Sequence, residues 1–378
     1  MKVAMLCRYP VNEPPTDGAL RYALGLSRAL AGIEGLDLHI ITLGHRARIE
    51  RIGRCTVHVV PRRGYPLEIA LFSVFPLLRK VLEIKPDIVH CIGTTQPYGL
   101  PALYLARRHG LKGVVSTLGI VQVEARYWFS SPFYLFHRIW FAWIERQIFR
   151  SFPIIVLSEG VSKRISKWAR GSIYVIPPGI DEDFFNIDRN PAEVEKELIL
   201  CISVIEPRKG LIDLLKAISL VQRRYSKVRL IHIGKITSMR YYQQLQTYIQ
   251  HQNLSGKVSF LGEVDQVEIF LKKAYLLVLP SYEESFGLAV AEAMAAGVPV
   301  VATRVGGLQN LVEDGHSGLL AEAGVPEDLA EKMEKLLANP VLASQMAEEG
   351  RKRALLFRWP KIASQTHDVY KRILSGEV

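Results

Sequence analysis

The sequence predicts an α/β protein built from two doubly wound domains, each a parallel sheet with helices on both faces. Short apolar, β-branched runs alternate with helical patterns along the whole chain, which is typical of parallel sheets that are buried on both sides. A chain of 378 residues is also long enough to form two hydrophobic cores. We therefore expect one domain over residues 1–182, a second over 183–357, and a C-terminal helix over 358–378 that joins the first domain.

The predicted strands are short runs that are rich in β-branched and aliphatic residues. In the first domain they span residues 3–7, 38–42, 56–60, 87–92, 113–117, 154–158 and 173–176. In the second domain they span residues 198–203, 228–233, 258–261, 275–279 and 299–302. Twelve strands in this arrangement are enough for two parallel sheets.

Segments with helical periodicity lie between most of these strands. They span residues 20–31, 67–84 and 98–109 in the first domain, and 211–225, 241–252, 266–273 and 288–296 in the second. Residues 177–197 contain prolines, a glycine and a cluster of acids, so we interpret them as the interdomain linker. Residues 359–374 regain helical periodicity and are expected to pack on the first domain.

The cysteine pattern and the apolar runs predict a cytoplasmic protein. The four cysteines, at positions 7, 55, 91 and 201, lie far apart, and three of them fall in predicted strands. This spacing indicates buried thiols in a reducing cytosol rather than a disulfide framework or a zinc site. Since the chain begins in a strand and no apolar run reaches ~18 residues, we expect neither a signal peptide nor a spanning helix.

The net charge of +11 is concentrated in the first half of the chain. Residues 1–190 hold 25 Lys and Arg against 15 Asp and Glu, a balance of +10, whereas residues 191–378 hold 23 against 22. The basic half includes residues 127–149, where ten aromatic residues are interspersed with His137, Arg138 and Arg146. They form either an amphipathic core helix pair or a surface helix at an anionic membrane on its inner, cytoplasmic face. Nucleic acid is not an expected partner, because acids are interspersed with the bases and no recognition motif occurs.

The segment from residue 276 to residue 303 carries the most informative functional pattern. An apolar strand ends at Pro280, and Gly287 lies where the next helix begins, so the first N–H groups of that helix have no partner within it. Such a helix start binds phosphate readily. Glu284 precedes this turn and Glu292 lies about two turns along the helix, and carboxylates accept hydrogen bonds from hydroxyl groups. The segment therefore favours a ligand with both phosphate and sugar hydroxyls, as in a nucleotide-sugar.

A series of motifs in fixed order extends over nearly the whole chain. They are PPTDGA at residues 14–19, PDIVH at 86–90, VLSE at 156–159, IPPGID at 176–181, PRKG at 207–210, FLG at 260–262, the Glu-x7-Glu segment at 284–303, and EDGHSGLL at 313–320. Together they resemble the retaining glycosyltransferases of family 4, also described as glycosyl transferases group 1. The resemblance implies the GT-B fold, in which two Rossmann-like domains face each other across a cleft.

The resemblance also implies roles for the residues of the long segment. Glu284 would bind hydroxyls of the donor sugar, Glu292 would bind those of the ribose, and backbone N–H groups would hold the diphosphate. Those N–H groups belong to Phe286, Gly287 and Leu288. Three alternatives stay open: Glu284 as a helix cap, Glu292 as part of a solvated helix face, and Glu283 in place of Glu284.

Further donor contacts are expected from residues outside that segment. Lys209, shared with or replaced by Arg208, is the candidate cation for the leaving diphosphate, although a solvated loop cation is the alternative. Gly18 matches the family's loop glycine near the phosphate or the acceptor, and Gly234 lies in the region that contacts the nucleotide base. No metal and no cofactor besides the nucleotide-sugar is expected.

Two departures from the family pattern affect the expected chemistry. Many members have an arginine five or six residues before the lysine, where this chain has Val204 and Ser203. Many also have Thr-His-Gly where this chain has Thr-Leu-Gly at residues 117–119. Glu124 or His90 could supply an acceptor-side polar group instead, although a structural role is the alternative for His90.

The predicted function is transfer of a hexosyl unit, with retention, from a UDP- or GDP-sugar to a glycan or lipid-linked acceptor. The missing arginine and histidine keep a second hypothesis open, an inactive partner subunit that binds the nucleotide-sugar. A GT-B nucleotide-sugar epimerase, with the same donor and no acceptor, is a third.

Overall fold

The structure is a computed structural model that describes residues 1–11, 17–61, 74–94, 108–119 and 134–377. Within residues 134–141 it describes the side chain of Ile139 but not those of its neighbours. The chain divides into two compact units, Met1–Gly179 with Trp359–Val378, and Ile180–Arg358. Sequence patterns placed the corresponding boundaries after residues 182 and 357.

A parallel sheet forms the centre of the first unit. Its strands are β1 Lys2–Leu6, β2 Asp37–Gly44, β3 Arg48–Ile52, β4 Cys55–Pro61, β5 Ile88–Ile92, β6 Gly113–Thr117, β7 Ile154–Val156 and β8 Ile173–Val175. Their order is β3-β4-β2-β1-β5-β6-β7-β8, and every neighbouring pair is parallel except β3 and β4. The helices of this unit are α1 Gly18–Leu30, α2 Val74–Ile84, α3 Tyr134–Ser151, α4 Glu159–Ile165 and the C-terminal α13 Trp359–Ser375.

The C-terminal helix α13 is fixed to the first unit by aromatic and polar contacts. The Trp359 ring lies 6.0 Å from the Tyr22 ring of α1, measured between centroids. The Tyr370 hydroxyl lies 2.6 Å from Nδ1 of His90 on β5, and Nε2 of His90 lies 2.7 Å from the Ser116 hydroxyl on β6. These contacts link the end of the chain to the middle of the sheet.

A second parallel sheet forms the centre of the second unit. Its strands are β9 Glu195–Ile202, β10 Arg229–Ile233, β11 Val258–Phe260, β12 Ala274–Leu279, β13 Val300–Thr303 and β14 Leu319–Ala321, in the order β11-β10-β9-β12-β13-β14. Its helices are α5 Glu182–Phe185, α6 Leu211–Val221, α7 Met239–His251, α8 Glu268–Lys273, α9 Leu288–Ala295, α10 Leu308–Leu311, α11 Pro326–Ala338 and α12 Pro340–Ala354. Short 3₁₀ turns occur at Pro191–Glu193, Pro207–Lys209 and Leu355–Phe357.

The structure confirms the α/β class, and all twelve predicted strands occur with ends within three residues of those expected. The predicted elements did not include β3, β14, α11 or α12. β3 is an edge strand with alternating charges, and β14 has only three residues, so neither shows a long apolar run. Most of the predicted helix over 98–109 and the start of that over 67–84 lie outside the described residues.

The predicted linker, residues 177–197, is mostly part of the second unit. The side chains of Phe184 and Phe185 on α5 are buried, and α5 packs on α9. The guanidinium of Arg189 donates to the carbonyl oxygens of Gly297, at 2.7 Å, and Ala274. The two buried phenylalanines therefore attach this segment to the second unit, although its prolines and acids are typical of a linker.

The cysteines are buried, whereas the side chains of the aromatic segment are partly buried and partly exposed. All four cysteines are free and buried, as predicted. On α3, Ile144, Ile148 and Phe149 are buried in the core, whereas Ile139 and Trp143 are 61% and 48% exposed. Among the helices that the structure describes, none has the length and apolar character to cross a membrane.

The buried His90 predicts a loss of stability in mild acid. Burial lowers its pKa to about 3, from an ordinary value of 6.5. Between these pH values the unfolded chain binds a proton that the folded chain does not, so stability falls as the pH decreases from about 6.5 towards about 3. The substitution His90→Gln, which removes this titration, should reduce the slope by at most about 1.4 kcal/mol per pH unit.

Urea unfolding at pH 7.5, 6 and 5 measures this slope for both proteins. Some slope will remain in the variant, because burial also lowers the pKa of His232 to about 4. An identical slope in the two proteins would contradict a neutral His90 in the folded state.

Candidate functional site

The candidate site lies in the second unit, where the strand order reverses. Numbered within this unit, the strands run 3-2-1-4-5-6, so the switch occurs between β9 and β12. In open parallel sheets, ligands bind outside the carboxyl ends of the strands at such a point. The Pro207–Lys209 turn follows β9 and residues 280–287 follow β12, so the two most informative sequence motifs are brought together here.

Lys209 and Glu284 form the central ion pair of this site. Nζ of Lys209 lies 2.6 Å from Oε2 of Glu284, and the two side chains are only 11% and 14% exposed. Burial alone would raise the pKa of Glu284, but the Lys209 and Arg208 cations and hydrogen bonds from Lys209 and the Ser285 backbone bring it below its ordinary value. Glu284 is therefore an ionised, largely buried carboxylate that depends on neighbouring cations.

Arg208 lies in the same turn but is held by other groups. Its guanidinium contacts Oε1 of Glu206 at 2.7 Å through Nη2 and at 2.9 Å through Nε. Nη1 donates to the backbone carbonyl of Glu283 at 3.2 Å. Sequence patterns did not single out Glu206, which is buried and pairs with Arg208.

The two loops of the site are also joined through Tyr282. Its backbone N–H donates to the carbonyl of Arg208 at 2.9 Å, and its hydroxyl donates to the buried Asp213 at the start of α6. Neither side chain was expected from the sequence, since a tyrosine and an aspartate 69 residues apart show no spacing pattern. These contacts fix the turn that carries Lys209 against the loop that carries Glu284.

Glycines shape the backbone around Glu284. Gly306 has a φ of +46°, and a Cβ added there would overlap the Glu284 carbonyl oxygen. The N–H of Gly307 donates to that same oxygen at 2.9 Å. Gly287, with a φ of +99°, ends the loop and caps α9 in the left-handed conformation. The Glu284 backbone is therefore held by a turn that only glycine fits.

The start of α9 presents unused hydrogen-bond donors. The N–H groups of Val290 and Ala291 donate to the Gly287 carbonyl, at 3.0 Å each. Within the part of the chain that the structure describes, the N–H groups of Phe286, Gly287 and Leu288 donate to no acceptor. Free donors at a helix N-terminus form a cradle for an anion.

Glu292 and Gly234 lie in the same unit as this cradle. Glu292 is on the second turn of α9 and is only 5% exposed, which disagrees with a solvated helix face. Gly234 directly follows β10, and its N–H donates to the carbonyl of Gly262, which follows β11, at 2.8 Å. The neighbouring Glu283 is also buried, and it is Glu284 rather than Glu283 that pairs with Lys209.

The predicted residues of the first unit are placed differently. Gly18 is the exposed first residue of α1, and the Asp17 side chain accepts from the Leu20 N–H at 2.9 Å. His90 is fully buried and both of its ring nitrogens have partners, Tyr370 and Ser116. Burial and these two partners favour the structural role that was the alternative for His90, and its acceptor-side role stays a prediction. Glu124 lies outside the described residues.

The described residues contain no cluster of three or more His, Cys, Asp and Glu side chains that could hold a metal ion.

The turn beside Glu284 predicts a large difference between two glycine substitutions. Gly306→Ala and Gly315→Ala both place a Cβ at positive φ, which costs about 1–2 kcal/mol. At Gly315 nothing lies within 4 Å of the added Cβ, whereas at Gly306 it overlaps the Glu284 carbonyl. We expect Gly306→Ala to lower the free energy of unfolding by about 1–3 kcal/mol more than Gly315→Ala does. Urea unfolding of both variants measures the difference, and equal losses would contradict the packing described here.

Comparison with known proteins identifies the family of the chain. The family model "Glycosyltransferase Family 4" matches residues 16–184, and the model "Glycosyl transferases group 1" matches residues 183–353. An uncharacterised glycosyltransferase of Methanocaldococcus jannaschii is 26% identical over 357 residues, which cover 90% of this chain and 91% of that protein.

Two solved structures have the same fold over nearly their whole length. Sucrose-phosphate synthase from Thermosynechococcus elongatus superposes with a TM-score of 0.84 at 22% identity, covering 99% of both chains. The Anabaena protein HepE, solved with UDP-glucose, has a TM-score of 0.75 at 20% identity and covers 98% of this chain and 99% of its own. Since the two family models together match residues 16–353, the chain belongs to the group 1, family 4 glycosyltransferases, and its fold is GT-B.

Proposed function

We propose that this glycosyltransferase moves a hexosyl unit from a UDP- or GDP-sugar to a hydroxyl of a glycan or lipid-linked acceptor, with retention and without a metal or other cofactor. One observation carries the proposal: free N–H donors at the start of α9 closely follow Glu284, which is paired with Lys209. This site combines donors for a diphosphate with a carboxylate for sugar hydroxyls.

The diphosphate of the donor would lie against the N-terminus of α9. The N–H groups of Phe286, Gly287 and Leu288 would donate to its oxygens, and Lys209 would supply the fixed positive charge. Negative charge builds on the diphosphate as the bond to the sugar breaks, so a cation held in place stabilises the transition state. Arg208 would act through the backbone of Glu283, which it already contacts, rather than on the phosphate.

The two sugars of the donor would be bound by carboxylates. Glu284 would accept hydrogen bonds from hydroxyls of the transferred hexose, and Glu292, on the helix that follows, would accept them from the ribose. Gly234 and Gly262, which meet at the ends of β10 and β11, would border the base. The UDP-glucose bound to HepE, a protein of the same fold, makes UDP-sugars the first donors to test.

Retention without a covalent intermediate results when the acceptor hydroxyl attacks the face of the sugar from which the diphosphate departs, and this is the route we propose. The departing phosphate oxygen would then accept the proton of the acceptor hydroxyl. In this scheme no enzyme side chain acts as the base, so the leucine at position 118 does not prevent the reaction. The acceptor itself would be bound by the first unit.

The substitution Lys209→Met tests the assigned cation. We expect kcat to fall about 10²–10³-fold, the range seen when one transition-state donor is lost. Lys335→Met, at an exposed lysine near the end of α11, is the matched control and should leave kcat unchanged. Nucleotide release and the anomeric configuration of the product, followed by chromatography and NMR with a panel of donors and acceptors, are the readouts. A Lys209→Met enzyme as active as the control would refute the assignment.

The inactive-partner hypothesis remains a specific alternative, because Ser203 and Val204 replace the family's usual arginine and Glu206 holds Arg208. It predicts that donors bind without turnover, whatever acceptor is supplied. An epimerase would instead release a nucleotide linked to a different hexose, which the same NMR readout detects.

We also propose that the first unit binds an anionic membrane through a surface that we call the basic face. It consists of exposed side chains of α3, α4 and the residues after α4: Ile139, Trp143, Arg146, Arg150, Lys163, Lys167 and Arg170. Two contacts connect these segments, since Arg146 lies 5.6 Å from the Trp168 ring centroid and the Arg170 N–H donates to the Phe149 carbonyl. Aromatic and cationic side chains on one face suit the headgroup layer.

Reversal of two charges tests the basic face. Each cation near an anionic surface contributes about 1 kcal/mol, so Lys163→Glu/Lys167→Glu should weaken binding to phosphatidylserine vesicles by about tenfold or more. Lys227→Glu/Lys335→Glu, two exposed lysines of the second unit, changes the net charge equally and serves as the control. Flotation of the two variants to the same extent, or flotation that does not depend on salt and anionic lipid, would contradict the proposal.

A further inference from the structure

Lys209 is a single cation with which two anions can pair, Glu284 and the diphosphate of the donor. In the structure it pairs with Glu284 at 2.6 Å. In the proposed function, on which this inference rests, it faces the diphosphate of the donor. A cation on one flexible side chain cannot remain in close contact with both groups unless they lie side by side, so donor binding and the Glu284 charge are coupled.

We propose that a nucleoside diphosphate without a sugar draws Lys209 away from Glu284 and causes Glu284 to take up a proton from water, whereas in the nucleotide-sugar complex the sugar hydroxyls take the place of that proton. The protonation state of Glu284 thereby depends on whether the bound nucleotide carries a sugar. The proton is supplied by a hydronium ion or a buffer acid in the surrounding water, so one O–H bond forms on Glu284, one bond to hydrogen breaks in that acid, and none breaks in the ligand.

The environment of Glu284 gives the physical reason. With 14% of its side chain exposed, the carboxylate is poorly solvated, and burial favours the neutral form of a carboxyl group. Lys209 and Arg208 oppose this effect, and Arg208 is bound to Glu206 and to the Glu283 carbonyl. When Lys209 turns to a phosphate that is itself negative, the ionised form of Glu284 loses its closest partner.

The other groups around Glu284 cannot replace Lys209. The Ser285 N–H donates to the carboxylate, and the Gly306–Gly307 turn, which contacts the Glu284 backbone, carries no charge. Among the other titratable side chains of these loops, Glu206 and Glu283 are buried acids and the Tyr282 hydroxyl donates to Asp213, so none of them supplies a positive charge. A proton or a set of donating hydroxyls is therefore required to stabilise Glu284 when its lysine leaves.

This coupling has a consequence for substrate choice and product release. At neutral pH the nucleotide-sugar avoids the need for a proton, so it binds more tightly than the bare nucleoside diphosphate that the transfer reaction leaves behind. The affinity for the bare diphosphate should rise as the pH falls, by up to about tenfold per pH unit when one proton is taken up.

Calorimetric titration measures the proton directly. The protein is titrated with UDP, GDP, UDP-glucose and GDP-mannose between pH 6 and 8, in buffers of different ionisation enthalpy, which gives the number of protons taken up. A terminal phosphate also titrates, with a second pKa near 6, so each value is compared with that of Glu284→Gln, in which only the Glu284 contribution is lost. Glu283→Gln is the matched control, with the same chemical change one residue away.

We expect the protein and Glu283→Gln to take up more protons with the bare diphosphate than Glu284→Gln does. Glu284→Gln should bind the bare diphosphate more tightly than the native protein at pH 7.5, by about tenfold or more, since no buried charge is left behind. If Glu284→Gln does not fold, Lys209→Met provides the second variant, and its proton uptake should likewise fall.

Two results would overturn the inference in distinguishable ways. If UDP or GDP binds with equal proton uptake in the native protein and in Glu284→Gln, the coupling is absent while the proposed donor site stands. If neither nucleotide nor its sugar conjugate binds either protein at any pH, the inference fails together with the proposed function.

Discussion

The ion pair between Lys209 and Glu284 is the interaction on which the site of this protein depends. It joins the turn after β9 to the loop after β12, the two strands between which the sheet order of the second unit reverses. Its members are mostly buried, so either one without the other would be an uncompensated charge in a poorly solvated place. The contacts of Tyr282 with Arg208 and Asp213, and the glycine turn under the Glu284 carbonyl, keep the two loops at the distance that this pair needs. The same few contacts therefore fix the positions of the two loops and stabilise the charges of Lys209 and Glu284.

The buried hydrogen-bonded polar groups at the centre of the first unit serve stability instead. His90, Ser116 and Tyr370 form a buried chain of hydrogen bonds that fastens the end of the polypeptide to the sheet. A buried polar group needs such partners, because leaving it unpaired costs about 1–3 kcal/mol. The difference between His90 and Glu284 shows how two buried titratable residues diverge: the histidine has neutral partners on both nitrogens, whereas the glutamate is ionised and has a cation, Lys209, as its partner.

Much of the fold could be predicted from the sequence, because alternating apolar runs and helical periods report burial directly. The free N–H groups at the start of α9 could also be predicted, because a strand, a glycine and a helix follow one another in the sequence. Residues whose roles depend on distant partners could not be predicted. Glu206 is important because it pairs with Arg208, and Tyr282 because its hydroxyl donates to Asp213. His90 was ambiguous for the same reason, since its partner Tyr370 is 280 residues away. Phe184 and Phe185 were hidden in a segment whose prolines and acids resemble a linker.

A crystal structure of the protein with a nucleotide-sugar bound tests the central claim most directly. The diphosphate should contact the N–H groups at the start of α9 and Nζ of Lys209, with Glu284 on the sugar hydroxyls and Glu292 on the ribose. A complex in which Lys209 keeps its contact with Glu284 alone while the diphosphate lies elsewhere would contradict the assignment of the site.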